Sequence, residues 1–215
     1  ESCGEGEHGL REAGAQLLKS LDVQGTEDEL RQASREFGGH GLALNLLGTY
    51  LRDVRGGDVR RRGDVGAIHE SPLLAEDAER GGHARRVMAS YEKWLGEGPE
   101  LAVLRILGLF NRPADGPAVA ALRAEPPIPG LTDSPVSLDD RRWKQALARL
   151  RRARLLAESV RANHDSPLLD THPLVREHFG GQLREGHPIA WHEGNNRLYE
   201  HYNRAAKELP DTLEE

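Results

Sequence analysis

The run from Leu101 to Phe110 constrains the fold more than any other ten residues. Leu101, Val103, Leu104, Ile106, Leu107, Leu109 and Phe110 leave hardly any polar face, and only Arg105 and Gly108 interrupt them. A helix that is apolar nearly all round sits in the middle of its domain. Gly96 and Pro99 punctuate its start, which predicts a helix over 99–110. The run is well short of the roughly 20 residues that a membrane span needs. No other stretch comes closer, and no signal peptide is visible.

Leucine and alanine recur at helical spacing on both sides of this run. Leu10, Gly14, Leu17, Leu18 and Leu21 share one face, spaced by threes and fours. Thr26 with Glu29 three residues on forms a capping box, in which each side chain satisfies the other's backbone N–H. Leu30, Ala33 and Phe37 are that helix's apolar stripe, and Gly38 and Gly39 end it. A third helix from about Gly41 to Arg52 is expected to bury Leu42, Leu46, Leu47 and Tyr50. These three make a small bundle over 1–55. Residues 53–82 hold no period and six glycines, so 56–80 reads as a linker, with one helical turn near Leu74 to Ala78.

The period then resumes in a domain expected over 81–186. Val87, Tyr91, Trp94 and Leu95 share a face, the helix 99–110 follows, and a short helix covers 116–123. After a proline-rich loop from Glu125 to Pro135, Trp143, Leu147 and Leu150 mark a helix over 139–154. Leu155–Val160 and Pro167–Asp170 bracket Asn163-His164-Asp165-Ser166, a hairpin with a polar turn. Pro173 suits a first helical position and opens the next helix, through Leu183. The order helix, helix, helix, hairpin, helix describes a winged-helix domain. A last helix, within 187–215, carries Trp191, Leu198, Tyr202, Ala205 and Leu209 and leads toward whatever follows. The fold class is therefore mainly α, a small helical bundle followed by a winged helix with a short β-hairpin.

The chain begins at Glu1 and its only methionine is Met88, as expected of a piece of a longer polypeptide. A single cysteine, Cys3, excludes an internal disulfide framework and fits a reducing, cytoplasmic setting. The net charge of −6 opposes bulk attraction to nucleic acid or anionic lipid. No Gly-x-Ser-x-Gly turn occurs, and Cys3 stands in a Gly-rich terminus, so hydrolase chemistry has no foothold. His172 and His178 fall on different helix faces and His187 and His192 straddle Pro188, so no metal site is expected. Trp94, Trp143 and Trp191 each lie on an apolar stripe and read as core.

Two motifs stand out: Gly38-Gly39-His40-Gly41-Leu42-Ala43-Leu44, opening the third helix, and Thr171-His172-Pro173-Leu174-Val175-Arg176, after the hairpin. In this order they resemble the later half of the nucleotide module of STAND-type signalling ATPases (the NB-ARC and NACHT class), over roughly residues 10–186. Gly41 stands where that family has proline, and Thr171 and Pro173 flank His172 where it has methionine and aspartate. The resemblance implies a helical lid whose Gly39, Gly41 and Leu42 lie near the adenine, and a winged helix whose His172 meets the β-phosphate of ADP. It also implies ADP or ATP as cofactor, held mainly by an upstream P-loop domain. A downstream sensor region and a homo-oligomer on activation complete the expected partners. No Gly-x-x-x-x-Gly-Lys-Ser/Thr occurs in these 215 residues, so they are expected to catalyse nothing alone, within a parent that is at most a slow ATPase.

His172 has a physical case of its own. Unpaired N–H groups at a helix start favour an anion, and an imidazole there can add a charge-assisted bond worth about 1.5–3 kcal/mol. Moving a closed–open equilibrium from 1:99 to 99:1 takes about 5.5 kcal/mol, so domain packing must supply the rest. The plainer alternative is that His172 only caps its helix. The rival function is a winged-helix DNA-binding transcriptional regulator. Its recognition helix would be 141–154, with Arg141, Arg142, Lys144, Arg149, Arg151, Arg152 and Arg154 and no acid. Asp139 and Asp140, and the acidic balance of the whole chain, weigh against it.

Overall fold

A computed structural model describes residues 3–65, 82–132, 140–158 and 168–208, with side chains from Glu12 onward. The chain is mainly helical among these residues: α1 Cys3–Ser20, α2 Glu27–Glu36, α3 Gly41–Arg55, α4 Gly82–Leu95, α5 Pro99–Leu107, α6 Gly116–Arg123, α7 Asp140–Arg152, α8 Pro173–Gly186 and α9 Pro188–Glu208. Strand pairing among them is limited to two isolated bridges, Gln24 with Asp58 and Ala114 with Leu169. The expected hairpin turn at 161–167 and the helical turn near 74–78 lie outside the described residues. Contacts divide the chain into two compact units, Glu1–Gly96 with Arg152–Leu155, and Glu97–Arg151 with Leu156–Glu215.

In the first unit α1 packs on both α2 and α3, and α4 packs on α3. The close approach of α1 and α2 needs Gly14, since a Cβ there would fall 2.0 Å from the Ser34 Oγ. The Thr26 and Glu29 capping box is formed, with Thr26 Oγ1 accepting from the Glu29 N–H and Glu29 from the Thr26 N–H. The core of α3 is wider than the expected stripe. Ala43, Leu44, Leu46, Leu47, Tyr50 and Leu51 are buried, while Leu42, at the first turn, is only half-buried. A helix covered by α1 on one side and α4 on another has little face left for solvent. A short 3₁₀ helix, Val59–Asp64, capped by Asp58, stands where the sequence shows no period. It packs on α2 and α3, and Arg62 donates to Glu36 at 2.7 and 2.9 Å.

The buried face of α4 is Ala84, Val87, Met88 and Tyr91. Trp94 corrects the core expectation, being 40% exposed. It falls in the last turn, one step past the buried stripe, and meets Tyr91 edge-on with ring centroids 6.2 Å apart. The Tyr91 hydroxyl reaches the carbonyls of Leu46 (3.3 Å) and Ala153 (3.4 Å).

The second unit is built round α5, where every residue from Glu100 to Leu107 is buried. Its two charged members are paired. Arg105 donates to both oxygens of Glu97 at 2.6 and 2.9 Å, and Arg149 of α7 reaches Glu100 at 2.6 Å. The α5 and α8 backbones touch at two glycines. A Cβ on Gly180 would come 2.5 Å from the Gly108 carbonyl oxygen. Gly108, an interruption in the sequence pattern, is thus the point of closest approach. α9 packs on α6 and α8, and Tyr202 donates to Asp115, the residue that caps α6. Trp143 is buried beneath the Arg123 guanidinium, 4.2 Å from its ring centroid, and Trp191 is half-buried.

Candidate functional site

The first motif forms the turn between α2 and α3. Gly38 and Gly39 both take left-handed backbone angles, φ +63° and +64°, which side chains rarely tolerate. The Gly38 N–H donates to the Arg35 carbonyl (3.0 Å) and the Gly39 N–H to that of Ser34 (2.8 Å), closing α2. His40 is the N-cap of α3, its Nδ1 accepting from the Ala43 N–H at 3.3 Å. The N–H groups of Gly41 and Leu42 have no hydrogen-bond partner among the described residues. A Cβ on Gly41 would meet nothing within 4 Å. A proline would fit there, because it is a first helical position whose N–H is unpaired.

The far wall of this turn comes from α4, and contiguous sequence gave no signal for it. Arg86 donates to His83 Nδ1 at 2.6 Å and to the Glu36 carbonyl at 3.3 Å, and its guanidinium lies 5.3 Å from the Phe37 ring centroid. The His83 ring sits beside Gly38, where a Cβ would be 3.1 Å from Nε2. Burial lowers the His83 pKa below the ordinary 6.5, and the charges of Arg86 and His40 lower it further. Both imidazoles use Nδ1 as an acceptor, so both have the proton on Nε2 when neutral.

The second motif opens α8 in the second unit. Ala114 and Leu169 exchange both backbone hydrogen bonds, at 2.8 and 2.9 Å, and the Ala157 N–H donates to the Asp170 carbonyl at 2.8 Å. That pairing delivers Asp170 to the head of α8. Its carboxylate accepts from the Thr171 N–H (2.8 Å) and from Arg176 Nη2 (2.7 Å), while Arg176 also donates to the Thr171 carbonyl. Thr171 is buried and His172 exposed. Asp170 is the residue that the sequence pattern left unremarked here, and an acid three residues before a helix-opening proline was the available signal.

His172 is the N-cap of α8, and its Nδ1 accepts from the Leu174 N–H at 3.2 Å. The Val175 and Arg176 N–H groups both reach the His172 carbonyl, at 2.9 and 3.2 Å, and Pro173 has no N–H. The expectation of unpaired donors at this helix start is therefore corrected. His172 satisfies them with its own ring and carbonyl, and a ligand would have to meet the imidazole. Gly39, Gly41 and Leu42 share one turn of the first unit, and His172 stands in the second.

The exposed side of α7 carries Arg141, Lys144, Gln145 and Arg152, opposite buried Trp143, Ala146, Leu147 and Leu150. No group of three or more potential metal ligands occurs among the described residues, and none of their helices is long and apolar enough to cross a membrane. No protein-family model matches the chain, and no curated protein does.

Proposed function

We propose that this chain is the helical lid and winged-helix arm of a STAND-type signalling switch, in which ADP favours a closed state and ATP an open, oligomer-forming one. The observation that carries the reading is the turn Gly38–Leu42. It places two open backbone donors and a side-chain-free Gly41 at a helix start, where the family's motif borders adenine. The helix order α5, α6, α7, α8 supports the winged helix. So do Ala114 and Ala157, from two different connections, which bond to Leu169 and Asp170. A hairpin wing over 155–170 would follow from that pairing.

In this reading the His172 cap is part of the mechanism. Holding Nδ1 on the Leu174 N–H fixes both the tautomer and the ring plane, so Nε2–H would be the donor toward the β-phosphate. Phosphates and magnesium would be held chiefly by a P-loop domain and an upstream acidic strand outside these residues. The lid and winged helix would add differential contacts to the closed state, which is what shifts a population. A sensor region downstream would bias the same equilibrium. The full-length polypeptide should purify with ADP bound, whereas residues 1–215 alone should neither hydrolyse ATP nor bind it at micromolar concentration. Micromolar ATP affinity of the isolated chain, or a full-length protein without nucleotide affinity, would overturn this reading.

The exposed basic side of α7 favours a second reading, a DNA-binding winged helix with α7 in the major groove. Phosphate-only attraction would fade steeply with salt. A footprint on one defined sequence at nanomolar affinity and about 0.15 M salt would establish it.

A further inference from the structure

Beside the Gly108–Gly180 crossing, the segment after α5 (Gly108, Phe110 and Asn111), α8 and Trp191 of α9 line an open cleft of about 380 Å³, which the switch reading does not use. Its volume lies at the small end of the range for small-molecule sites. Glycines form the floor. A Cβ on Gly181 would meet nothing within 4 Å, so the space above it is open to a ligand. Trp191, half-buried, and Phe110, almost wholly buried, are the aromatic walls.

Charge at the rim is uneven. Arg176 is held rigidly by Asp170 and the Thr171 carbonyl. Arg184, two turns further along α8, is exposed and has no ion pair or hydrogen bond among the described residues. Among the described residues, Glu177 is the one carboxylate lining the cleft against these two guanidinium groups. An indole wall, a floor without side chains and an uncommitted guanidinium make a slot for a flat ring with a negative group at one end.

We propose that this cleft binds a small aromatic anion, its ring against Trp191 and its carboxylate or phosphate at Arg184. The inference does not depend on the nucleotide reading, since it uses no residue of either motif but Pro173 and Arg176 at the cleft's edge. The probes are phenyl phosphate, phenylacetate and the neutral phenylacetamide, titrated into the 215-residue chain. Amide shifts of Gly180 and Gly181 and the Trp191 indole N–H report occupancy.

Both anions should saturate with a Kd of about a millimolar or tighter, and the amide should bind about tenfold more weakly. Arg184→Ala should erase the preference for the anions. Gly181→Leu should fill the cleft and abolish binding of all three while the melting temperature is maintained. Equal binding of phenylacetamide, anion binding that survives Gly181→Leu, or no saturable shift at these residues would each overturn the proposal.

Discussion

Adjacent glycines on α8 should respond to alanine in opposite directions. At Gly180 the new Cβ would lie 2.5 Å from the Gly108 carbonyl oxygen, 3.1 Å from its carbon and 3.2 Å from its Cα. Ordinary contact begins near 3.4 Å, so α5 and α8 would have to part by close to an ångström. Backbone on both sides leaves no flexible side chain to yield. The pair buries Leu104 and Leu107 of α5 and Phe179 and Leu183 of α8, and interiors packed to this density lose dispersion quickly as gaps open. Overpacking of this kind costs about 1–3 kcal/mol, and backbone contact on both sides places this case at the upper end. At Gly181 the Cβ would meet nothing, and replacing a helical glycine by alanine stabilises by about 0.5–1 kcal/mol. In a unit of roughly a hundred residues 1 kcal/mol moves Tm by about 4 °C. Calorimetric melts should therefore show Gly180→Ala falling by about 10 °C and Gly181→Ala rising by about 2–4 °C. A Gly180→Ala change that melts within 2 °C or so of wild type would refute the close approach on which the second unit is built.

Three further outcomes follow from named contacts. Tyr91→Phe removes a buried hydroxyl that reaches the Leu46 and Ala153 carbonyls and should cost about 1 kcal/mol in urea unfolding; no loss would mean that those carbonyls are satisfied otherwise. His83 is held neutral in the fold, so the unfolded chain binds the extra proton. Its contribution is complete above the ordinary value of 6.5 and is lost as pH falls from there through the lowered folded pKa. A stability–pH profile of wild type should drop in that window more than that of His83→Gln, and parallel profiles would contradict the neutral assignment. His172→Ala should cost the second unit about 1 kcal/mol through the lost cap, and His172→Asn, which can still accept from Leu174, should recover most of it. Equal melting of the two variants would remove the cap from the account.

Much of the helical layout was legible because its boundaries are chemical. Thr26 with Glu29, and His172 before Pro173, mark starts that local side chains satisfy. The apolar run announced the burial of Leu101–Leu107 and Phe110, although the helix ends at Leu107 rather than 110 and Leu109 is half-buried. Features made by distant partners were not legible. The Ala114–Leu169 pairing, the Gly108–Gly180 crossing and the packing of Arg86 and His83 against Glu36, Phe37 and Gly38 each join residues with no local pattern to betray the partner. Trp94 was misjudged because periodicity fixes the side of a helix, whereas burial also depends on how far the neighbouring helix extends. In the candidate site, Gly39, Gly41 and Leu42 were readable as one turn because they are contiguous. The capping bond of His172 depends on the geometry of its first turn. The sequence could show only that the residue stood before a helix-opening proline.

The central claim is that the His172 imidazole, oriented by its cap, serves a nucleotide in the closed state. It is tested most directly by the rate of ADP release from the full-length polypeptide carrying His172→Asn, a change that preserves the cap and removes the ring. The account predicts release about ten- to a hundredfold faster than wild type, the equivalent of a charge-assisted hydrogen bond worth about 1.5–3 kcal/mol, with the melting temperature of the second unit nearly unchanged. Unchanged release in that variant would contradict the claim and leave His172 as a helix cap alone.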